Sequence, residues 1–387
     1  MIARILLPIL LVIALSDGYL WMRYMRRRMS AVKGLLWLVP DLLMAVFTVV
    51  IGLNRDFAPA DSTLFNVYLF FLGFLVVAKM LFVVCSAVGW GVKSLLHHRR
   101  NYGNAVGLVV VALVWYVLLY GVSVGFARLN VRRVVYTSPD LPAAFDGYRI
   151  VHFSDAHVGT YGRKPSRLLA RAVDSINAEY PDMVVFTGDL QNMQPGEVYP
   201  HERTLARLHA RDGVFSVMGN HDYALYINAA DSVKAANERA MRESQRRMGW
   251  TLLDNDHRVI CRGADSIVVA GMENDGDGRH FPQRGDIGRT LRGVADGSFV
   301  VMLEHDPTSW RRKILPGSGA QLTLSGHTHA MQFSLFGWSP SSLIYSEWGG
   351  VFCEGGRAIN VSTGLGGFIP FRFGVPGEIV VITLKRK

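Results

Sequence analysis

The sequence predicts an α/β domain carried behind a region of four transmembrane helices. Two observations lead there. Long apolar runs crowd into the first third of the 387-residue chain, and the remainder alternates short β-rich runs with loops that open on Asp, Asn or His. A chain of this length with such uneven hydrophobicity is expected to hold two units. The expected boundaries are a membrane region over 1–130, a linker over 131–147 and a folded domain over 148–387.

Four apolar stretches, near 2–21, 35–53, 63–89 and 104–126, each approach or exceed the roughly 20 residues a helix needs to cross a bilayer. The first does not read as a signal peptide, because only Arg4 precedes it and Arg23, Arg26, Arg27 and Arg28 follow it. Arg27-Arg28 lies behind a spanning segment, which also argues against a twin-arginine export signal. Those arginines with Lys33, and the later loop with Lys93, Arg99 and Arg100, should be cytoplasmic under the positive-inside rule. Arg4, Arg55, Arg128, Arg132 and Arg133 fall on the opposite side, and the larger set decides. The N-terminus and everything beyond the fourth run are therefore expected outside, making this a multi-pass membrane protein with an extracytoplasmic domain. Charges inside apolar runs are costly and call for partners. Asp41 and Lys79 are expected to pair, Asp17 to sit at the interface, and His97-His98 to lie in a solvated loop.

Residues 1–130 hold 12 Lys and Arg against 4 Asp and Glu, so they carry most of the formal net charge of +10. The domain beyond them has no basic stripe interleaved with aromatics, which argues against nucleic acid as a partner. Cys85, Cys261 and Cys353 are scattered, with no CxxC spacing, and make neither a zinc knuckle nor a disulfide framework. Cys85 reads as core, while pairing of Cys261 with Cys353 depends on a distance the sequence does not give.

Residues 131–147 contain Pro139, Pro142 and Gly147 and read as the linker. Apolar runs over 148–153, 183–187, 214–218, 299–303 and 321–324 then end in Ser154-Asp155-Ala156-His157, Gly188-Asp189, Gly219-Asn220-His221-Asp222, Glu304-His305 and Gly326-His327-Thr328-His329. In layered α/β folds, sites assemble at such carboxyl ends of strands. Helical spacing through Leu168, Leu169, Ala172, Val173 and Ile176 places a helix over 165–180. A second helix over 229–248 is expected to pack peripherally rather than border the substrate. From 331 onward, Phe333, Phe336, Trp338, Tyr345, Trp348 and Phe352 suggest a strand hairpin with a buried aromatic core, with a lip that touches lipid as the sharper alternative.

Hydrolysis of a phosphate ester at neutral pH needs a nucleophile from water, neutralisation of phosphoryl charge and protonation of the leaving oxygen. Two metal ions about 3.5–4 Å apart meet the first two needs. Carboxylate and imidazole suit such borderline ions, and the strand ends supply Asp155, His157, Asp189, Asn220, His305, His327 and His329. Each fragment alone is weak. Gly-His-Thr-His is more specific, since alternate residues on an extended chain would send both imidazoles to one side while the glycine allows close backbone approach.

In that order the motifs resemble the pattern of the calcineurin-like metallophosphoesterase superfamily, and its membrane-associated, often exported bacterial branch in particular. The resemblance covers about residues 148–385, including Pro370-Phe371-Arg372-Phe373 before a terminal strand, and leaves the four-helix region unexplained. It implies an αββα sandwich and a hydrolase for phosphomono- or phosphodiesters that uses two divalent ions, manganese, iron, zinc or cobalt. By the same resemblance Asp155, His157 and His329 hold one ion, Asp189 bridges, and Asn220, His305 and His327 complete the second site. A metal-bridging hydroxide would attack phosphorus, and His221 would contact the phosphate and protonate the leaving group. Asp222 would orient His221 and keep it protonated. Related members often have Gly-Gly where this chain has Ala330-Met331, which puts the adjacent pocket in question. His152, inside the first run, reads as structural, and His201, His209, His257 and His280 as polar residues without a motif.

The membrane setting makes phospholipids, lipid-linked sugars or envelope phosphoesters the suggested substrates. The rival reading is a membrane transport or sensing protein whose domain binds phosphate without turnover. Polar residues converging on a membrane cavity would favour the rival, whereas His221 and Asp222 favour catalysis.

Overall fold

The computed structural model describes residues 2–53 and 63–387. Arg55, one of the charges used for orientation, lies outside the described residues. The chain divides into two compact units, Met1–Val122 and Ser123–Lys387.

Toward the N-terminus, Ile5–Met25, Val32–Leu53, Thr63–Leu95 and Gly103–Gly125 are helices long and apolar enough to cross a membrane. A helix satisfies its own backbone donors and acceptors, the condition hydrocarbon imposes. The third and fourth approach closely where a side chain at Gly103 would collide with the backbone of Cys85 and Gly89, the small-residue packing that bilayer helices use. Lys79 Nζ stands 2.5 Å from Asp41 and also 2.5 Å from Asp17. Asp17 is thus a third member of the ion pair expected between Asp41 and Lys79, and all three side chains are largely sheltered. The Tyr24 hydroxyl lies 2.6 Å from Ser86 Oγ and donates to Asn104 Oδ1 at 2.8 Å, so these polar groups satisfy one another. The described cleft between the second and third spans is lined by Pro40, Leu43, Met44, Phe47, Tyr68 and other apolar side chains, so the polar groups do not converge on it.

The second unit is built on twelve strands: β1 (Leu129–Ser138), β2 (Arg149–Phe153), β3 (Met183–Phe186), β4 (Val214–Ser216), β5 (Thr251–Leu252), β6 (Asp256–Arg262), β7 (Asp265–Gly271), β8 (Phe299–Leu303), β9 (Leu322–Ser325), β10 (Gly350–Glu354), β11 (Arg357–Val361) and β12 (Gly377–Arg386). They form two mixed sheets, ordered β1-β12-β2-β3-β4-β5 and β10-β11-β9-β8-β7-β6. Strands β2 to β5 run parallel in the first, as do β7, β8, β9 and β11 in the second.

Alternation along each strand divides its side chains between two layers. Ile150, Val185 and Phe215 of one sheet meet Val269, Val301 and Leu324 of the other in a shared core. The opposite faces take helices. Val151 and Val184 pack with Leu169, Ala172, Val173 and Ile176 of the helix Arg167–Asn177, whose N-terminus is capped by Ser166 Oγ accepting from Leu168 N at 3.2 Å. Trp310 and Ile314 cover the outer face of the second sheet. The result is the αββα sandwich. The helix Asp231–Arg247 packs peripherally, burying Met241, Ser244 and Gln245.

Two expectations change, and one open question closes. Residues 131–147 are not a free linker, because β1 pairs in parallel with β12 along its whole length and Phe145 is buried. Of the run from 331 onward, only its end is a strand hairpin, where β10 pairs with β11 and its Phe352 packs against the core; residues 331–345 carry isolated bridges, Leu335 with Trp338 and Phe333 with Phe373, and Phe336 is 99 % exposed. The open question is the pairing of Cys261 with Cys353, and both are free. They sit on β6 and β10, opposite edges of a six-stranded sheet, roughly 24 Å apart at the usual strand spacing.

Candidate metal centre

Parallel strands deliver their carboxyl ends to one rim of the sandwich, and the predicted residues gather there. Asp155 and His157 follow β2, Asp189 follows β3, Asn220 and His221 follow β4, His305 follows β8, and His327 and His329 follow β9. Asp155, His157, Asp189 and His329 form one cluster of potential ligands, and Asp189, His305 and His327 a second. Asp189 belongs to both. Its Oδ2 lies 3.6 Å from His157 Nε2 and 3.2 Å from His305 Nε2.

In the first cluster His329 Nε2 is 3.2 Å from His157 Nε2 and 3.2 Å from Asp155 Oδ1. In the second, Asn220 Oδ1 is 3.0 Å from His305 Nε2 and 2.8 Å from His327 Nδ1. Ligands about 2.1 Å from an ion are separated by roughly 3.0–3.4 Å along octahedral or tetrahedral edges, so the donor atoms fit two ions in spacing as well as chemistry. Both His157 Nδ1 and His329 Nδ1 are buried without a hydrogen-bond partner.

Backbone geometry makes these clusters. Asp155, His157, Asp189, His327 and His329 all have positive φ, between 41° and 73°, a conformation uncommon outside glycine and concentrated at functional sites. Gly-His-Thr-His is consequently not extended: Thr328 is right-handed helical between two left-handed histidines, and the imidazoles go to different clusters. Ala330 and Met331 continue at φ 48° each, so this chain carries side chains where glycine would be unstrained. A side chain at Gly326 would strike Ser154 Oγ and the Asp155 carboxylate, so only glycine lets β9 approach β2.

Burial sets most of the charge states in the site. Burial, reinforced by the neighbouring His221, pushes His157 down to about 3. Burial, with His157 alongside, holds His329 well below the usual imidazole range, and burial also lowers His327. These three are neutral imidazoles, the form a metal ion takes. Burial opposes charge on Asp189 and His305 alike, yet their mutual attraction prevails, holding Asp189 well below the usual carboxylate range and lifting His305 to about 10. Burial lifts Asp155 to about 7 against the pull of His305. His305 Nδ1 donates to the Thr187 carbonyl at 2.7 Å, leaving Nε2 toward the cluster. Such outer partners orient metal-binding histidines.

His221 borders both clusters, its ring 4.8 Å from that of His157. Its Nδ1 donates to the Asn192 carbonyl at 2.6 Å, so Nε2 remains for chemistry. Asp222 departs from expectation. It does not orient the His221 ring but accepts four backbone bonds, from Asp189 N and Leu190 N at 2.9 Å, Gly219 N at 3.0 Å and Gln191 N at 3.2 Å. The carboxylate ties the β3 loop to the β4 loop. The Asn192 carbonyl takes the place assigned to it.

Several contributors were not singled out in the sequence. Asn220 Nδ2 donates to the Tyr226 hydroxyl at 2.7 Å, which turns Oδ1 inward. The Tyr345 hydroxyl lies 3.1 Å from His327 Nε2. Buried Arg372 donates to the carbonyls of Thr363, Gly364 and Gly366, bracing the loop over Asp155; its segment was legible but its role was not. No local pattern marks Tyr226, and Tyr345 was legible only as a member of the aromatic run.

This fold with this site defines a metal-dependent phosphoester hydrolase attached to a membrane region. Residues 148–331 match the calcineurin-like phosphoesterase family, and residues 3–126 match a family described as a probable calcineurin-like phosphoesterase transmembrane domain. A Bacillus subtilis protein named uncharacterized metallophosphoesterase YkuE is 30% identical over 286 residues, covering 69% of this chain and 92% of its own. A Danio rerio transmembrane protein with metallophosphoesterase domain is 31% identical over 64% of this chain and 55% of its own. The UDP-2,3-diacylglucosamine pyrophosphatase LpxG of Chlamydia trachomatis is 28% identical over 66% of this chain and 88% of its own. The chain belongs to the calcineurin-like metallophosphoesterases.

Proposed function

We propose that this protein is a membrane-anchored two-metal phosphoesterase that hydrolyses phosphomono- or phosphodiesters on the extracytoplasmic side, with lipid-linked or envelope phosphoesters as substrates. The observation that carries the reading is Asp189, whose carboxylate stands between two His-containing clusters. Asp155, His157, His329 and Asp189 would hold one ion, and Asp189, Asn220, His305 and His327 the other. Ions bound there would activate water as the nucleophile and neutralise phosphoryl charge.

The chain's own groups do the rest. Asp189 Oδ1 accepts from His221 N at 2.8 Å, which couples the shared carboxylate to the loop carrying His221. The Asn192 carbonyl fixes the proton on Nδ1, so the imidazolium hands its Nε2 proton to the leaving oxygen. Asp222 positions the two loops. The side of the membrane follows from the arginine distribution, and the substrate class from the spans together with the diacylated sugar nucleotide in the name of the Chlamydia relative.

With manganese, the purified chain should hydrolyse an aryl phosphate or a bis-aryl phosphate, and Asp189→Asn and His221→Ala should each abolish turnover. Retained activity in both variants refutes the assignment. A reporter fused after Lys387 tests the orientation, and activity only from a cytoplasmic reporter overturns it.

A further inference from the structure

The segment after Gly326-His327-Thr328-His329 leaves an apolar surface beside the metal centre. Phe336 is 99 %, Leu343 77 % and Ile344 67 % exposed, with Trp338 half-exposed, and residues 331–345 contain no charged side chain. The segment is built rather than frayed. Leu335 and Trp338 exchange both backbone hydrogen bonds, at 2.9 and 3.0 Å. Phe333 stacks on Phe373 at 5.6 Å, and Ser339 Oγ donates to the Ala330 carbonyl at 2.6 Å. The turn holds Phe336 at φ 52°, a conformation that bulky residues avoid and that folds keep where it has a use. At its far end the segment reaches the site through Tyr345 and His327.

An uncharged apolar surface held rigidly in water marks a contact with something apolar. The occupant follows from the chain. The fourth span ends at Gly125 and β1 begins at Leu129, so three residues tether this domain to a bilayer-crossing helix. We propose that residues 331–345 form a lip that enters the headgroup–acyl boundary of that bilayer, and that the adjoining site takes phosphoesters whose apolar end stays in the membrane. The substrate half of this inference rests on the phosphoesterase reading. Trp338 suits the headgroup level and Phe336, Leu343 and Ile344 the acyl boundary beneath it.

The test uses the full chain in vesicles of phosphatidylethanolamine and phosphatidylglycerol. With Cys85, Cys261 and Cys353 replaced by Ser, a Phe336→Cys variant is labelled with an environment-sensitive fluorophore. The label should shift to the blue and be quenched by nitroxides on the upper acyl chain. Absence of a shift overturns the lip, and a shift without lipid quenching also overturns it, because protein then covers the surface. In a second arm, methyl and hexadecyl para-nitrophenyl phosphates are compared with manganese present. The wild-type chain should prefer the hexadecyl ester by about tenfold or more in kcat/KM, as burial of an alkyl chain in lipid favours it. The Phe336→Ser/Leu343→Ser variant should lose that preference and keep the methyl ester within about twofold, since neither residue touches the ligand clusters. Equal loss on both esters refutes the substrate half, as does an undiminished preference. Lipid quenching with neither ester turned over by the wild type leaves the lip standing and removes the phosphoesterase reading instead.

Discussion

Asp222→Asn separates two roles for the same carboxylate. Asp222 is completely buried, with Oδ1 accepting from Leu190 N and Gln191 N and Oδ2 from Asp189 N and Gly219 N. An asparagine keeps one oxygen, so in either amide orientation two backbone donors face an NH₂ group. Each buried donor left unsatisfied costs about 1–3 kcal/mol, which gives about 2–6 kcal/mol for the pair. The released N–H groups belong to the loops holding Asp189 and His221, so the loss should appear as lower stability and lower metal content together. Chemical denaturation of the detergent-solubilised chain reads the first, elemental analysis after equilibration with manganese reads the second, and the pH profile of aryl phosphate hydrolysis completes the set. Residual activity should keep the wild-type pH dependence. Full stability and full metal content with a displaced acid limb would refute this account and return Asp222 to control of the His221 proton.

Other consequences can be measured on the same material. Lys79→Met strands Asp17 and Asp41 against each other, and breaking a buried ion cluster from one side costs about 3–5 kcal/mol. Its melting temperature in detergent should fall and recover in the Asp17→Asn/Lys79→Met/Asp41→Asn variant; no recovery would remove the triad as the cause. His152 is buried, and burial, with the charge of Arg132, holds it down to about 3. Its Nδ1 accepts from Asn360 Nδ2 at 3.0 Å, so protonation breaks that bond. An unfolded histidine titrates near 6.5, so this contribution is complete above that pH and lost toward 3, at up to about 1.4 kcal/mol per pH unit. His152→Gln should therefore flatten the fall in stability between about pH 6 and 4, and an unchanged slope would contradict the assignment.

Legibility in the sequence followed the range of the interactions. The four spans were readable because hydrophobic length is a local property that a bilayer reads directly. The strand-end motifs were readable because each carries a ligand beside an apolar run, and the helix over Arg167–Asn177 because its apolar residues recur on one face. Strand β1 was mistaken for a linker because its partner β12 lies at the far end of the chain. The pairing of Asp17 with Lys79 went unread because helical spacing alone does not show three helices meeting there. The aromatic run after His329 was read as a buried hairpin, since composition reports apolar content and not which way it faces.

By itself, the sequence determined a membrane-bound α/β hydrolase of the calcineurin-like class, with its ligand types and the order in which the strands present them. Tertiary structure alone decided that Gly-His-Thr-His turns through left-handed histidines instead of running extended, that Asp222 binds backbone instead of His221, and that Phe336 stands clear of the core. The reason is physical. Residue chemistry and periodicity are written locally, whereas the direction of a side chain at a strand end depends on left-handed backbone turns held by contacts between distant segments.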